Sequence, residues 1–430
     1  MKTFAKAALT AMLIAGTSSV AIVAPAAAAK KKDEGKGGLV VSEPIRVASA
    51  AATAALTAKD FATAETNVAL MESGAKTDDE RYLAQAFRLQ LEANKIGNTG
   101  NPAVLAGPLD ALIANPKTPA TEVGRYAYMR ANIAYNAKQY PQALAFFDRA
   151  TQSGFTAPNM ELQIARTKIQ AGDVAGGVAG IEKQIAADKA AGKPVDEDLY
   201  KYAIVALQKS RDTAGTMRWT REWLYAYNTQ PNWHTAIYVF GFQGENDKQI
   251  TKRERIDLFR LLRATKSLAG EREYIEYADL AVQTANAAEA KAVLAEGTAS
   301  GKIAAANSSA KMTLGEANTQ LAREGSLAVQ EKRAMAAADG LEANGVGDYA
   351  LGTGNAAKAV EMYKLALSKG GAKLNKDEIN THLGIAYLQT GDKASAKAAF
   401  AQVTTGLRGQ IATLWNVWAD APGAPTPAAG

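Results

Sequence analysis

The sequence predicts an all-α fold built from stacked helical hairpins, and three observations carry this. Alanine recurs throughout the 430 residues while aromatics make up only 7%, and alanine is the best helix former and a poor strand former. Alternating Val/Ile/Thr-rich runs, the mark of strands, are hard to find. Near the end of the chain, Leu383-Gly384-Ile385-Ala386-Tyr387 is followed by Gly391-Asp392 and then by Ala396 and Phe400. Small and apolar residues thus share one helical face, a Gly-Asp turn breaks the run, and a second amphipathic helix follows. Gly384 and Ala396 are small where two antiparallel helices press together; Tyr387 and Phe400 are bulky where a neighbouring pair is met. One such hairpin cannot bury its own apolar face, so copies must stack beside it.

The order of Leu, Gly and Tyr on the first helix and Ala and an aromatic on the second resembles the tetratricopeptide repeat. Asn380 stands where that family has an early Trp, and Val403 where it has a last Ala. The resemblance implies a right-handed superhelical α-solenoid of helix-turn-helix repeats.

Taken in order, the chain opens with a basic start at Lys2 and Lys6, an apolar run from Ala7 to Ile14, and a small-residue site at Ala27-Ala28-Ala29. Residues 1–29 read as a cleavable secretory signal, with cleavage near Ala28/Ala29 and the mature chain periplasmic or secreted. Thr17-Ser18-Ser19 interrupts the apolar run, which disfavours a membrane anchor of about 20 residues. No later stretch is apolar enough to span a bilayer, and the absence of cysteine excludes disulfides and a lipid-anchoring thiol. Residues 30–39, with Lys30-Lys31-Lys32 beside glycines, read as a flexible basic linker. The solenoid is expected over 40–420 and a disordered Pro/Ala tail over 421–430. The net charge of +6 is mild, and export argues against a nucleic-acid partner.

The turn at Gly391 has equivalents at Gly354, Ala285, Ser210, Gly172, Lys138 and Lys59. Lys138 to Gly172 is 34 positions, Gly172 to Ser210 is 38 and Gly354 to Gly391 is 37, against about 34 for the family's unit. Longer gaps near two repeats place further turns around Asn98, Asp247 and Thr319, ten units in all. Thr77 and Glu80 form a capping box; Thr118-Pro119 starts the helix leading to Ala131 and Tyr140. Gly176, Gly177 and Gly180 mark either close helix approach or a loose helix. Asp196-Glu197-Asp198 reads as a helix start, Arg253 to Arg263 as a basic helix with a charged outer face. The register blurs from Lys302 to Asn344. Ile411, Leu414, Trp415 and Trp418 form the stripe of a terminal capping helix.

No catalytic constellation is found. The two histidines, His234 and His382, have no metal-ligand spacing around them, and no Gly-x-Ser-x-Gly elbow occurs. The phosphate-loop lookalike at Gly297–Lys302 is one residue too short and is followed by Ile303, and the dinucleotide-like Gly345–Ala350 follows a helical, alanine-rich run in place of a strand, so both read as turns. The chain therefore reads as no enzyme, with no cofactor and no metal. The resemblance directs first-helix residues to a concave, peptide-binding face: Arg125, Tyr128, Asn132, Tyr135 and Asn136, then Arg166, then Lys201. The other reading of these residues is a solvated inner wall. A second candidate site lies in the aromatic stretch from Trp219 to Phe242, where Trp219, Trp223 and Trp233 either form core or line a pocket for peptide or glycan. Together these features imply an exported scaffold binding a protein or peptide partner in envelope assembly or maintenance. The alternative is a helper for polysaccharide or envelope-polymer handling, and an enzyme on a helical scaffold is the least favoured reading.

Overall fold

The computed structural model describes residues 39–97 and 99–427. The signal segment, all of the basic linker before Leu39, the Asn98 turn and the last three residues of the tail lie outside the described residues. Among the described residues the chain forms twenty-two α-helices and one short 3-10 helix. The β-type pairing among them is an isolated bridge between Thr229 and Thr426. The helices gather into two compact units, divided between Val195 and Asp196.

The N-terminal unit is four hairpins in series. They are α1 (Glu43–Thr57) with α2 (Phe61–Gly74), α3 (Asp78–Ile96) with α4 (Ala106–Ala114), α5 (Ala120–Asn136) with α6 (Tyr140–Gln152), and α7 (Met160–Gln170) with α8 (Val174–Ala190). Each helix packs chiefly on the next in sequence. The core is handed along the series. One face of α3 (Leu83, Phe87, Leu91) packs with Ile45, Val68 and Met71, while Tyr82 and Leu89 on its other face join Leu109, Tyr126 and Met129. The expected capping box closes the start of α3, where Glu80 also accepts the Ser42 N–H at 2.9 Å and so ties down α1.

The turns share one backbone device across both units. Lys59, Lys138, Gly172, Ala285, Gly354 and Gly391 all have positive φ, between 56° and 97°. The seventh turn has it at Arg211, one residue beyond Ser210. The next residue opens the following helix. In five turns it is Asp60, Asp173, Asp212, Asn355 or Asp392, and its side chain accepts the backbone N–H three positions on, satisfying a donor that the helix leaves unpaired. Close approach follows where it was expected. A Cβ on Gly384 would lie 2.4 Å from the Phe400 ring, and one on Gly177 would lie 2.4 Å from Ile169. The glycines of α8 thus serve tight packing.

The C-terminal unit starts with α9 (Glu197–Lys209), α10 (Thr213–Ala226), α11 (Gln230–Gly241), the short α12 (Gly244–Gln249) and α13 (Lys252–Ala264). It continues through α14 (Glu271–Gln283), α15 (Ala287–Ala299), α16 (Ser308–Glu324), α17 (Leu327–Ala336), α18 (Leu341–Gly352), α19 (Ala356–Lys369), α20 (Lys376–Gln389), α21 (Lys393–Phe400) and α22 (Gly406–Asp420). Near Thr319 the sequence predicts a turn, but that residue is interior to α16. Instead α15 packs directly on α18, and α16 and α17 stand outside the hairpin series. Only Thr313 and Ala317 of α16 are buried, which explains the blurred periodicity.

The unit closes on itself. Helix α22 covers α20 and α21 as a terminal cap must, and it also packs against α10 and α13. Trp418 meets Trp233 edge-on at 5.5 Å. The tail up to Pro427 departs from the expected disorder. Thr426 N–H donates to the Asn228 carbonyl (2.9 Å) and its own carbonyl accepts from Gln230 N–H (2.7 Å). Ala421 is buried.

Candidate functional site

The residues expected on a concave wall divide between the two units. Ten of the seventeen residues of α5 are buried, because the helix packs on both α4 and α6. Arg125, Asn132 and Tyr135 are half-buried and Asn136 is exposed; at this spacing they share the strip of α5 left open. Arg125 is paired with Glu122 and stacks over Tyr126 at 4.9 Å. Tyr128 is only 4% exposed and packs against Phe147 and Phe155. It belongs to the core, because its face of α5 is covered by α6 and the loop after it. Arg166 is half-buried on α7. Lys201, on α9 of the C-terminal unit, pairs with Glu197 at 3.1 Å and lies 5.6 Å from the Trp223 ring.

The three tryptophans are core residues. Trp219, Trp223 and Trp233 are at most 4% exposed. The indole N–H of Trp223 donates to Glu197 and that of Trp233 to Asn228, each at 2.8 Å. The Trp219 N–H has no partner among the described residues but is buried with its ring, so none of the three indoles is open to a glycan and they form core. The acidic triplet is a helix start, with Asp196 accepting the Asp198 N–H.

Where the closed unit brings its helices together, it buries a set of charges that no local pattern announced. Asp257 and Arg260 on α13, Glu289 on α15, Asp348 on α18, His382 on α20 and Arg408 on α22 are all less than 9% exposed. Arg260 donates to both Glu289 oxygens (2.9 and 2.6 Å) and to Asp257 (2.8 Å). Arg408 reaches the other Asp257 oxygen at 2.6 Å. His382 lies 2.8 Å from Asp348 and 3.0 Å from Asp257. Tyr277 and Tyr363 donate to Glu289 and Asp348. The basic helix of the sequence therefore turns Arg260 inward, contrary to a wholly outer charged face. Three cations face three carboxylates, so each buried charge has a partner, as burial demands. Burial lowers the His382 pKa and Arg260 lowers it further, but Asp257 and Asp348 prevail and raise it to about 9. Burial pushes the Asp257 carboxyl up, yet His382, Arg408 and Arg260 hold it well below the carboxylate range. Among the described residues no group of three or more His, Asp or Glu side chains is placed to hold a metal ion.

The accessible site lies elsewhere in the same unit. A groove of about 630 Å³ runs between the outer side of α11 and the start of α14, lined by His234, Tyr238, Phe242, Asp247, Arg255 and Glu276 among others. An adjoining hollow of about 400 Å³ shares Arg255, Arg272 and Glu276 with it and adds Asp279. One wall is a ladder of rings. His234 stacks on Tyr238 at 5.4 Å and 13°, and Tyr238 on Phe242 at 5.4 Å and 9°. The spacing of four residues along one helix brings these rings one above another. Arg255 lies over Phe242 at 5.2 Å and pairs with Asp247 at 2.8 Å. Glu273 meets His234 at 2.7 Å and accepts the Ala269 N–H at 2.7 Å. Burial pushes the Glu273 carboxyl up, but the imidazole and that N–H outweigh it and hold it below its usual range.

No family model and no curated protein matches the chain. Among solved structures, that of yeast Tom70 matches over 87% of this chain and 95% of its own, at 10% identity and TM-score 0.23. The Cut9 and Hcn1 hetero-tetramer of the APC/C matches over 85% and 87%, at 12% identity and TM-score 0.18. Superpositions this loose carry no argument. The helical-repeat assignment rests on the hairpins and turns of this chain itself.

Proposed function

We propose that this protein is an exported, non-catalytic scaffold that binds a protein or peptide partner in the cell envelope. The observation that carries it is the ring-lined groove of the C-terminal unit, an open hollow of about 630 Å³ on a helical array. The buried charges beside it are all partnered and closed off, which suits a framework and not a reaction centre. The leader-like N-terminus of the sequence supports export. The open strip of α5 (Arg125, Asn132, Tyr135, Asn136) is a second contact surface for the same class of partner, with Arg166 on α7 of the same unit; Lys201, on α9 of the C-terminal unit, is a separate contact point. Polysaccharide handling is less supported, since its three indoles are in the core.

The test is a crosslinked pull-down of the tagged mature chain from its own envelope fraction. It is compared with a groove variant, Tyr238→Ala with Glu276→Gln, and with a strip variant, Asn132→Ala with Asn136→Ala. A protein captured by the parent and lost by either variant supports the scaffold and names its surface. Capture of polysaccharide alone, or of nothing, overturns it.

A further inference from the structure

The groove has a charge that the rest of the chain does not share. Across its two hollows the carboxylates of Asp247, Glu271, Glu273, Glu276 and Asp279 face the guanidiniums of Arg255 and Arg272, in a chain whose net charge is +6. Much of this acidity is engaged. Asp247 pairs with Arg255 and Glu273 with His234, and Asp279 accepts from Thr313. Glu271 receives only the Ala304 N–H, at 3.1 Å. Glu276 has no hydrogen-bond or ion-pair partner among the described residues. A half-buried carboxylate without a partner, facing a hollow, invites a cation.

The opposite wall suits the stem that would bring that cation. The rings of His234, Tyr238 and Phe242 stack in turn along the helix, and Arg255 lies over Phe242. What remains is a ribbed apolar edge, against which an aliphatic stem can lie while its charged head stays polar. The unit already packs cations on rings in this way, with Arg255 over Phe242 and Lys201 over Trp223.

We propose that this groove binds an extended basic peptide segment, with a Lys or Arg stem along the Tyr238–Phe242 ladder and its cation at Glu276, flanked by Glu271. The proposal rests on the binding-scaffold reading and gives it a ligand class. It is tested by fluorescence anisotropy on the full mature chain with a short labelled peptide alternating Lys and Ser, beside its Glu counterpart. The Lys peptide should bind and the Glu peptide should not. Glu276→Gln, which removes no internal contact, should weaken the Lys peptide roughly five- to tenfold, and Tyr238→Ala by a similar factor. Raising salt from about 50 to about 300 mM should weaken it further. Circular dichroism checks that both variants stay folded. Equal binding of the Glu peptide, no binding of the Lys peptide, or Lys binding unmoved by Glu276→Gln overturns the proposal. If the pull-down still yields a partner that Glu276→Gln retains, only the groove's ligand class falls and the scaffold stands.

Discussion

The N-terminal unit spreads its core along the chain from one hairpin to the next, whereas the C-terminal unit draws distant helices together around charge. Both use the same turn, a left-handed residue followed by an Asp or Asn cap. The difference lies in where polar side chains end up. In the N-terminal unit the ion pairs stay near water: Arg88 bridges Glu65, Glu72 and Glu92, with Glu65 41% exposed. In the C-terminal unit α22 returns to α10 and α13 and seals the inward positions, so Asp257 is wholly buried. A stack in series leaves its inner positions solvated, and a closed stack must neutralise them internally.

The contrast between the two units turns on Asp257. Asp257→Ala removes the carboxylate shared by Arg260, His382 and Arg408 and leaves buried cations short of a partner, which should cost about 3–5 kcal/mol. All five tryptophans lie beyond position 196, so indole fluorescence reports the C-terminal unit alone. Its denaturation midpoint should drop while the early part of the helical signal is unmoved; a loss shared by both units would mean that they do not differ as described.

A pH series sharpens the same contrast. The His382 pKa is raised to about 9 from 6.5, so its contribution is fully present below pH 6.5 and is lost as pH rises through 9. The amount is on the order of 3 kcal/mol. The lowered carboxyls of Asp257 and Asp348 contribute above the ordinary carboxylate pKa and fail as pH falls below it. The C-terminal unit should therefore weaken on both sides of mildly acidic to neutral pH. His382→Gln should flatten the alkaline limb of the fluorescence-detected stability curve; an unchanged slope would count against the ion pair.

Packing and capping come next in size. Gly384→Ala places a methyl against the Phe400 ring and should cost about 1–3 kcal/mol, read again by tryptophan fluorescence. In the N-terminal unit, Asp173→Ala removes a cap on the Gly176 N–H and should cost about 1 kcal/mol. That change should appear in calorimetry or circular dichroism and leave the indole signal alone.

How much of this was legible follows from the range of each signal. The turns at Lys59-Asp60, Gly172-Asp173 and Gly391-Asp392 were readable because Gly or Lys followed by Asp is a two-residue message, and the rest followed from near-regular spacing. The buried network was not, since Asp257 and Arg408 are 151 positions apart and each reads alone as an ordinary helix charge. Tyr128 looked like a wall residue because register fixes a helical face but not which neighbour covers it. The groove lay half in view. His234, Tyr238 and Phe242 recur every four residues within the stretch singled out for its aromatics, and that spacing was the available signal. Sorting them from the buried Trp219, Trp223 and Trp233 needed the positions of α13 and α14.

The return of α22 has a consequence in time. Asp257 waits for His382, 125 residues later, and Asn228 for Thr426, 198 residues later. Contacts of that span are slow to form, because the intervening chain must be looped before they reward it. The first hairpins can settle as soon as each is made. The later half must remain unfinished, Asp257 still short of Arg408, until the last helix arrives.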